Sequence, residues 1–151
     1  MSSKLTSSAG SKKINRFVSN SSEETEAIGR KIARTLSPGS IVCLTGDLGA
    51  GKTTLSKGLA SEITGISPHH INSPTFTYLN IYEGHQTLYH FDCYRLKGGD
   101  DFLERGFDEY FEELCLIEWP EKIEDILPKK RILISIEYNG EDKRVISYEE
   151  S

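Results

Sequence analysis

Apolar residues recur along this chain in two rhythms, and each rhythm marks a different kind of element. Ala27, Ile28, Ile32, Ala33 and Leu36 follow helical spacing, which predicts a helix opening at Ser21 or Ser22 as N-cap. Glu23, Glu24 and Glu26 occupy its first turn, where the helix dipole favours acids, and Pro38-Gly39 ends it. Ile41-Val42-Cys43-Leu44 is apolar at every position, as expected of a central strand buried on both faces. A glycine-rich stretch follows at once. Leu55, Leu59 and Ile63 then step by four, which predicts a helix starting near Lys52.

Further on, Ser67 to Pro74 has the composition of a loop. Thr75–Tyr82 and Thr87–Tyr94 read as strands joined in a hairpin by Glu83-Gly84-His85-Gln86. Asp100 or Asp101 is expected to cap an amphipathic helix carrying Phe102, Leu103, Phe107, Tyr110, Phe111 and Leu114. Leu114 to Ile117 reads as another buried strand, stopped by Trp119-Pro120, with a short helix from Glu121 to about Leu127. Arg131–Tyr138 and Arg144–Tyr148 flank Asn139-Gly140, a strong hairpin signal. Helices alternating with apolar strands predict an α/β fold. Its mixed sheet is expected to have a parallel core, antiparallel hairpins and flanking helices, an arrangement that becomes P-loop NTPase-like if the glycine-rich stretch after Leu44 cradles phosphate.

Composition narrows the class. At 151 residues, 36% hydrophobic and 27% charged, the chain is expected to form one soluble domain over 15–151. Residues 1–14 are rich in Ser and Lys without an apolar segment, and a disordered tail is expected there. No apolar run approaches the roughly 20 residues needed to span a bilayer. The formal charge of -5 gives no general attraction to nucleic-acid phosphate, so any link to RNA is expected to run through a partner. Cys43, Cys93 and Cys115 are odd in number and scattered, which suits reduced, buried thiols of a cytoplasmic protein.

The chemistry concentrates in Gly46-Asp47-Leu48-Gly49-Ala50-Gly51-Lys52-Thr53, an ungapped G-x-x-x-x-G-K-[ST] between an apolar strand and a helix. Glycines let backbone N–H groups wrap a phosphate, and the helix N-terminus adds partial positive charge. Lys52 is expected on the β- and γ-phosphates of ATP, and the Thr53 hydroxyl on Mg²⁺, with Thr54 just beyond. Such a loop also needs an acid at the end of a neighbouring strand. Two qualify: Glu118, after Cys115-Leu116-Ile117, and Asp92, in Tyr89-His90-Phe91-Asp92.

GTPase chemistry is disfavoured, since no Asn-Lys-x-Asp strip exists. A small-molecule kinase is the stronger rival. Kinase lids carry several arginines, whereas Arg95 is the only one between Arg34 and Arg105. A nucleotide-binding adaptor without turnover is a third reading. His69-His70 reads as a loop pair, and the acids from Asp100 to Glu113 as a solvated helix face.

Four blocks in order, GDLGAGKTTLSKGL at 46–59, SPTFTY at 73–78, YHFDCYRL at 89–96 and CLIEWPEKI at 115–123, resemble the TsaE (formerly YjeE) family. These are ATPases of bacterial threonylcarbamoyladenosine tRNA modification, and the resemblance covers about residues 15 to 148. It implies that Thr75 lies in a switch near the γ-phosphate and that Asp92 is essential for hydrolysis. It further implies that Glu118 is a magnesium ligand and that Trp119 lies near the nucleotide, where plain hydrophobic packing is the alternative. It also implies a cycle with TsaD and TsaB, whose complex modifies adenosine 37 of tRNAs reading ANN codons and is reset by ATP hydrolysis. With no arginine finger in sight, slow hydrolysis is expected from this chain alone, as a monomer or weak dimer.

Overall fold

The structure, a computed structural model, describes residues 3–6, 13–47, 51–140 and 142–151. Among the described residues eight strands form one sheet: β1 (Ser3–Thr6), β2 (Lys13–Ser19), β3 (Ile41–Gly46), β4 (Leu79–Tyr82), β5 (Leu88–Asp92), β6 (Cys115–Glu118), β7 (Ile132–Tyr138) and β8 (Arg144–Glu150). Their order is β1-β2-β8-β7-β3-β6-β5-β4. The four central strands, β7, β3, β6 and β5, run parallel, and every pairing outside them is antiparallel. The fold is therefore α/β with a mixed sheet, as the alternation of elements predicts.

Strand β3 shows why the apolar run is continuous. Val42 and Leu44 face one layer, with Leu55, Leu59 and Ile63 of α2 (Lys52–Thr64) and Ile32 of α1 (Ser22–Ala33). Ile41 and Cys43 face the other, with Phe91, Phe102, Ile117 and Ile123. A strand covered on both sides has no position to spare for a polar side chain. Ser21 caps α1 as expected, its hydroxyl accepting from Glu24 N–H at 3.1 Å. Helices α1 and α2 cross almost backbone to backbone. A Cβ on Gly58 would lie 2.3 Å from the Glu26 carbonyl oxygen, and one on Gly29 2.6 Å from that of Leu55. This contact sets the start of α1 against the start of α2.

Several boundaries differ from the sequence pattern, each for a local reason. Thr75–Thr77 form a turn rather than strand, closed by Tyr78 N–H donating to the Pro74 carbonyl. At the other end of the hairpin, Asp92 Oδ1 accepts Tyr94 N–H at 2.9 Å and turns the chain out of β5. The long helix expected from Asp100 to Leu114 breaks into α3 (Gly99–Glu104) and a 3₁₀ turn, Phe107–Tyr110. Gly106, at φ 75°, separates them. Asp101 lies inside α3 rather than capping it, and reaches back to Lys97 N–H. The helix expected from Glu121 is a kinked 3₁₀ segment, Pro120–Ile126. The β7–β8 loop spans residues 139–143, longer than a two-residue Asn-Gly turn, with Asn139 N–H donating to the Lys143 carbonyl.

Strand β2 carries no clear alternation and is not predicted by the pattern. Pairing with β8 defines it. Where a tail is expected, Ser3–Thr6 lie as β1 along the edge of β2, which satisfies backbone groups that the edge would leave open. Among the described residues, no helix is long and apolar enough to cross a membrane.

Candidate functional site

The parallel strands β3, β5 and β6 end together on one side of the sheet, the side on which α/β folds place their ligand sites. Gly46 closes β3, Asp92 closes β5 and Glu118 closes β6. Asp92 and Glu118 are direct register partners, and Leu44 is the partner of Glu118 on its other side. Both carboxylates are nearly buried, at 5% exposure each. Two acids so placed are costly to desolvate unless something polar or cationic shares the space.

Part of that space is filled by the loop before β4. Ser73 Oγ stands 3.3 Å from Asp92 Oδ2 and 3.4 Å from Glu118 Oε2. Thr75 Oγ1 donates to Asp92 Oδ2 at 3.4 Å. The structure thus joins the Ser-Pro-Thr block to both acids. Glu118 Oε2 has a closer partner in His90 Nε2, at 2.6 Å.

The glycine-rich turn precedes α2. Gly51 takes φ 105°, a conformation that glycine adopts without strain, and no side chain caps the helix start. Among the described residues no side chain accepts from the first-turn N–H groups of α2, which is the standard anion-binding arrangement. Gly46 has no room for a side chain, since a Cβ there would lie 2.7 Å from both Ile136 O and Ile136 Cγ2. Lys52 is largely buried at 9% exposure, and its Nζ lies 4.2 Å from the centroid of the Trp119 ring. Asp47 and Thr53 are exposed and Thr54 half-buried, while Leu48, Gly49 and Ala50 lie outside the described residues.

Backbone strain gathers at the same place. Among the described residues the non-glycine residues with positive φ are Tyr78, at 68°, and Trp119, at 58°. For bulky side chains this costs on the order of 1–3 kcal/mol and persists only where the surroundings enforce it. Trp119 leads from Glu118 into Pro120, and its turn brings the indole over Lys52. Tyr94 packs against the same indole, with ring centroids 4.8 Å apart.

A cavity of about 290 Å³ opens beside Lys52, lined by Ser22, Thr25, Gly51, Thr53, Thr54 and Arg144. Arg144 starts β8 and sits close to the glycine turn, where a Cβ on Gly51 would lie 3.3 Å from its Nε. The sequence reading misses Arg144 and Thr25 beside this loop and commits to no role for Ser22. No spacing rule joins them to the loop, because the α1–α2 crossing and the β7–β8 hairpin bring them there. Arg95 makes no ion pair among the described residues, and its guanidinium lies 5.2 Å from the centroid of the Phe76 ring.

Taken together, these residues fit a magnesium nucleotide. A glycine turn that a Cβ would fill, an uncapped helix start and a buried lysine suit phosphate oxygens. Two near-buried carboxylates suit a metal that takes one or two protein acids and completes its shell elsewhere.

Residues 19–146 match the family model described as threonylcarbamoyl adenosine biosynthesis protein TsaE. The tRNA threonylcarbamoyladenosine biosynthesis protein TsaE of Bacillus subtilis is 45% identical over 129 residues, covering 83% of this chain and 79% of that protein. Its counterpart in Treponema pallidum is 42% identical over 134 residues, covering 87% and 98%. A crystal structure of YdiB from Bacillus subtilis superposes with a TM-score of 0.75 at 37% identity, covering 99% of this chain and 87% of that one. The chain therefore belongs to the TsaE family of threonylcarbamoyladenosine tRNA biosynthesis, a P-loop-type family.

Proposed function

We propose that this chain is a magnesium-dependent ATPase that serves threonylcarbamoylation of adenosine 37 in tRNAs reading ANN codons. In this reading it docks on a TsaD–TsaB complex and resets it between rounds. One observation carries the ATPase reading: the uncapped start of α2, with Lys52 at its first residue, lies across from Asp92 and Glu118 at the ends of adjacent parallel strands. A core that needed only stability would not hold two acids and a lysine here, since apolar residues of similar volume would serve it as well or better.

In this reading the 46–53 loop binds the phosphates, and Lys52 leaves the Trp119 ring to pair with them. Thr53 and Glu118 hold Mg²⁺, which when bound neutralises charge developing on the transferred phosphoryl group. Asp92, held by Thr75 and Ser73, orients the attacking water or supports the metal shell. Arg144, Ser22 and Thr25 contact the nucleotide beyond its terminal phosphates. The switch role of Thr75 is supported by its link to Asp92, because a γ-phosphate that attracts the Thr75 hydroxyl loosens that link. Phe76, 80% exposed beside Thr75, gives a partner protein a way to sense the switch.

The test is ATP hydrolysis in Mg²⁺ by the chain alone and with purified TsaD and TsaB. Slow turnover that rises when the partners are added supports the whole reading. Turnover indifferent to the partners refutes the TsaD–TsaB cycle. Transfer of the γ-phosphate to an added acceptor in preference to water refutes the ATPase role and makes the chain a kinase.

A further inference from the structure

His90 occupies a position that the fold alone does not explain. It lies in the middle of β5, fully buried, two residues before Asp92. Its Nδ1 is buried and has no hydrogen-bond partner among the described residues. Leaving such an atom unpaired costs stability, and a Leu or Phe in the same space would avoid that cost. The one polar contact that His90 makes among the described residues is to Glu118, Nε2 to Oε2 at 2.6 Å. A carboxylate only accepts, so the Nε2 proton is donated to Glu118.

The geometry singles out one oxygen. Oε2 of Glu118 takes the His90 proton and stands within reach of Ser73 Oγ at 3.4 Å. No hydrogen bond from the described residues engages Oε1. The backbone of Glu118 is fixed as well, since its carbonyl accepts Cys93 N–H at 3.0 Å and the residue is in register with Asp92 and Leu44. With backbone and Oε2 both held, the carboxylate cannot rotate freely, and Oε1 is the oxygen left to act.

We infer that His90 is a positioning residue: its Nε2–H pins Glu118 Oε2 so that the carboxylate offers Oε1 to the magnesium shell. This rests on the proposed Mg-ATP reading of the site. Ligating carboxylates are commonly held by a second hydrogen-bonding group, and losing that group typically weakens metal affinity ~10- to 100-fold. Here the group is an imidazole because its rigid ring spans from the core of β5 to the tip of β6. His90 faces Leu116 in register and therefore sits one step behind the carboxylate it holds.

The test is calorimetric ATP binding to the full chain, in EDTA and across a Mg²⁺ titration, for wild type, His90→Leu and His90→Gln. His90→Leu fills the space without a donor, and its Mg²⁺ midpoint is expected to rise ~10- to 100-fold while its affinity for ATP in EDTA stays within about twofold of wild type. His90→Gln keeps an N–H and is expected to recover most of the loss. A wild-type Mg²⁺ midpoint in His90→Leu overturns the inference, as does an equal shift in both variants. Wild type that binds no ATP, or binds it without regard to Mg²⁺, overturns the underlying reading instead. Should His90→Leu fail to fold, nitrogen NMR of the wild-type imidazole decides alone. A proton on Nε2 whose signal moves when Mg²⁺ joins the nucleotide supports the inference, and a proton on Nδ1 with none on Nε2 overturns it.

Discussion

Lys52 Nζ rests 4.2 Å from the centroid of the Trp119 ring, so the lysine at the head of α2 is held by the residue that follows Glu118. A cation over an indole gains about 0.5–2 kcal/mol, more as the pair is desolvated. That is enough to keep a buried ammonium in place and small enough to be exchanged for a phosphate. The chain contains a single tryptophan, so its emission reports this contact without background. Adding Mg-ATP is expected to change the emission of Trp119 as Lys52 departs. Lys52→Met is expected to show the altered emission from the outset and little response to nucleotide. An unchanged spectrum in wild type at saturating ATP would mean that Lys52 does not move.

Asp92 and Glu118 share a register position and a hydroxyl, but they differ in what else depends on them. Asp92→Ala and Glu118→Ala are each expected to lower ATP turnover by about a hundredfold or more, the usual scale for a positioned acid–base group. Circular dichroism should show both folds intact. Glu118→Ala also strips His90 of its partner and leaves a second ring nitrogen unpaired in the core, a further cost on the order of 1–3 kcal/mol. A lower Tm is therefore expected for Glu118→Ala than for Asp92→Ala. Normal turnover in either variant would remove that residue from the catalytic assignment.

The elements legible in the sequence are those whose signal is local. Leu55, Leu59 and Ile63 mark α2 because a helix repeats every turn, and Ile41 to Leu44 mark β3 because both its faces are covered. Each candidate acid was visible as a carboxylate at the end of an apolar strand. Their adjacency was not, since residues 26 apart become neighbours only when β5 and β6 pair in parallel. His90 looked like part of a motif and carried no sign of its bond to Glu118. Arg144 reads as the polar start of a hairpin strand, and the sheet order brings it beside Gly51. The helix expected from Asp100 to Leu114 failed for the opposite reason: its apolar spacing is helical, but Gly106 enters the left-handed region and ends α3.

Gly58 and Gly29 hold the start of α1 in place through their lack of side chains. A Cβ on Gly58 would meet the Glu26 carbonyl oxygen at 2.3 Å, and backbone cannot step aside as a side chain can. Alanine gains about 1 kcal/mol of helix propensity. Overpacking against fixed backbone costs about 1–3 kcal/mol or more, so the clash wins. Gly58→Ala is expected to lower Tm by several degrees and to weaken ATP binding, because Ser22 and Thr25 withdraw from Gly51 and Thr54. The same holds for Gly29→Ala. Both substitutions push the same pair of helices apart, so the double variant should lose less stability than the two single losses added. Strict additivity would show that the glycines act separately.

The three thiols make stability sensitive to alkali. Burial pushes Cys43 and Cys115 up to about 12 and raises Cys93 as well. In the unfolded chain a cysteine titrates near its ordinary value of 9.0, as a solvated thiol. Below that pH both states hold the proton, and the stabilisation is fully present. As the pH rises from about 9 towards 12, the unfolded chain releases protons that the folded chain keeps, so unfolding becomes progressively easier. Each such thiol adds a slope of about 1.4 kcal/mol per pH unit over that window. Cys43→Ala is expected to flatten the fall of Tm between pH 9 and 11 relative to wild type, even if it starts lower from the cavity it leaves. A thiol reagent at pH 8 should correspondingly label the native chain slowly and the unfolded chain at all three positions. Parallel Tm curves for wild type and Cys43→Ala would show that the Cys43 thiol ionises as readily in the fold as in water.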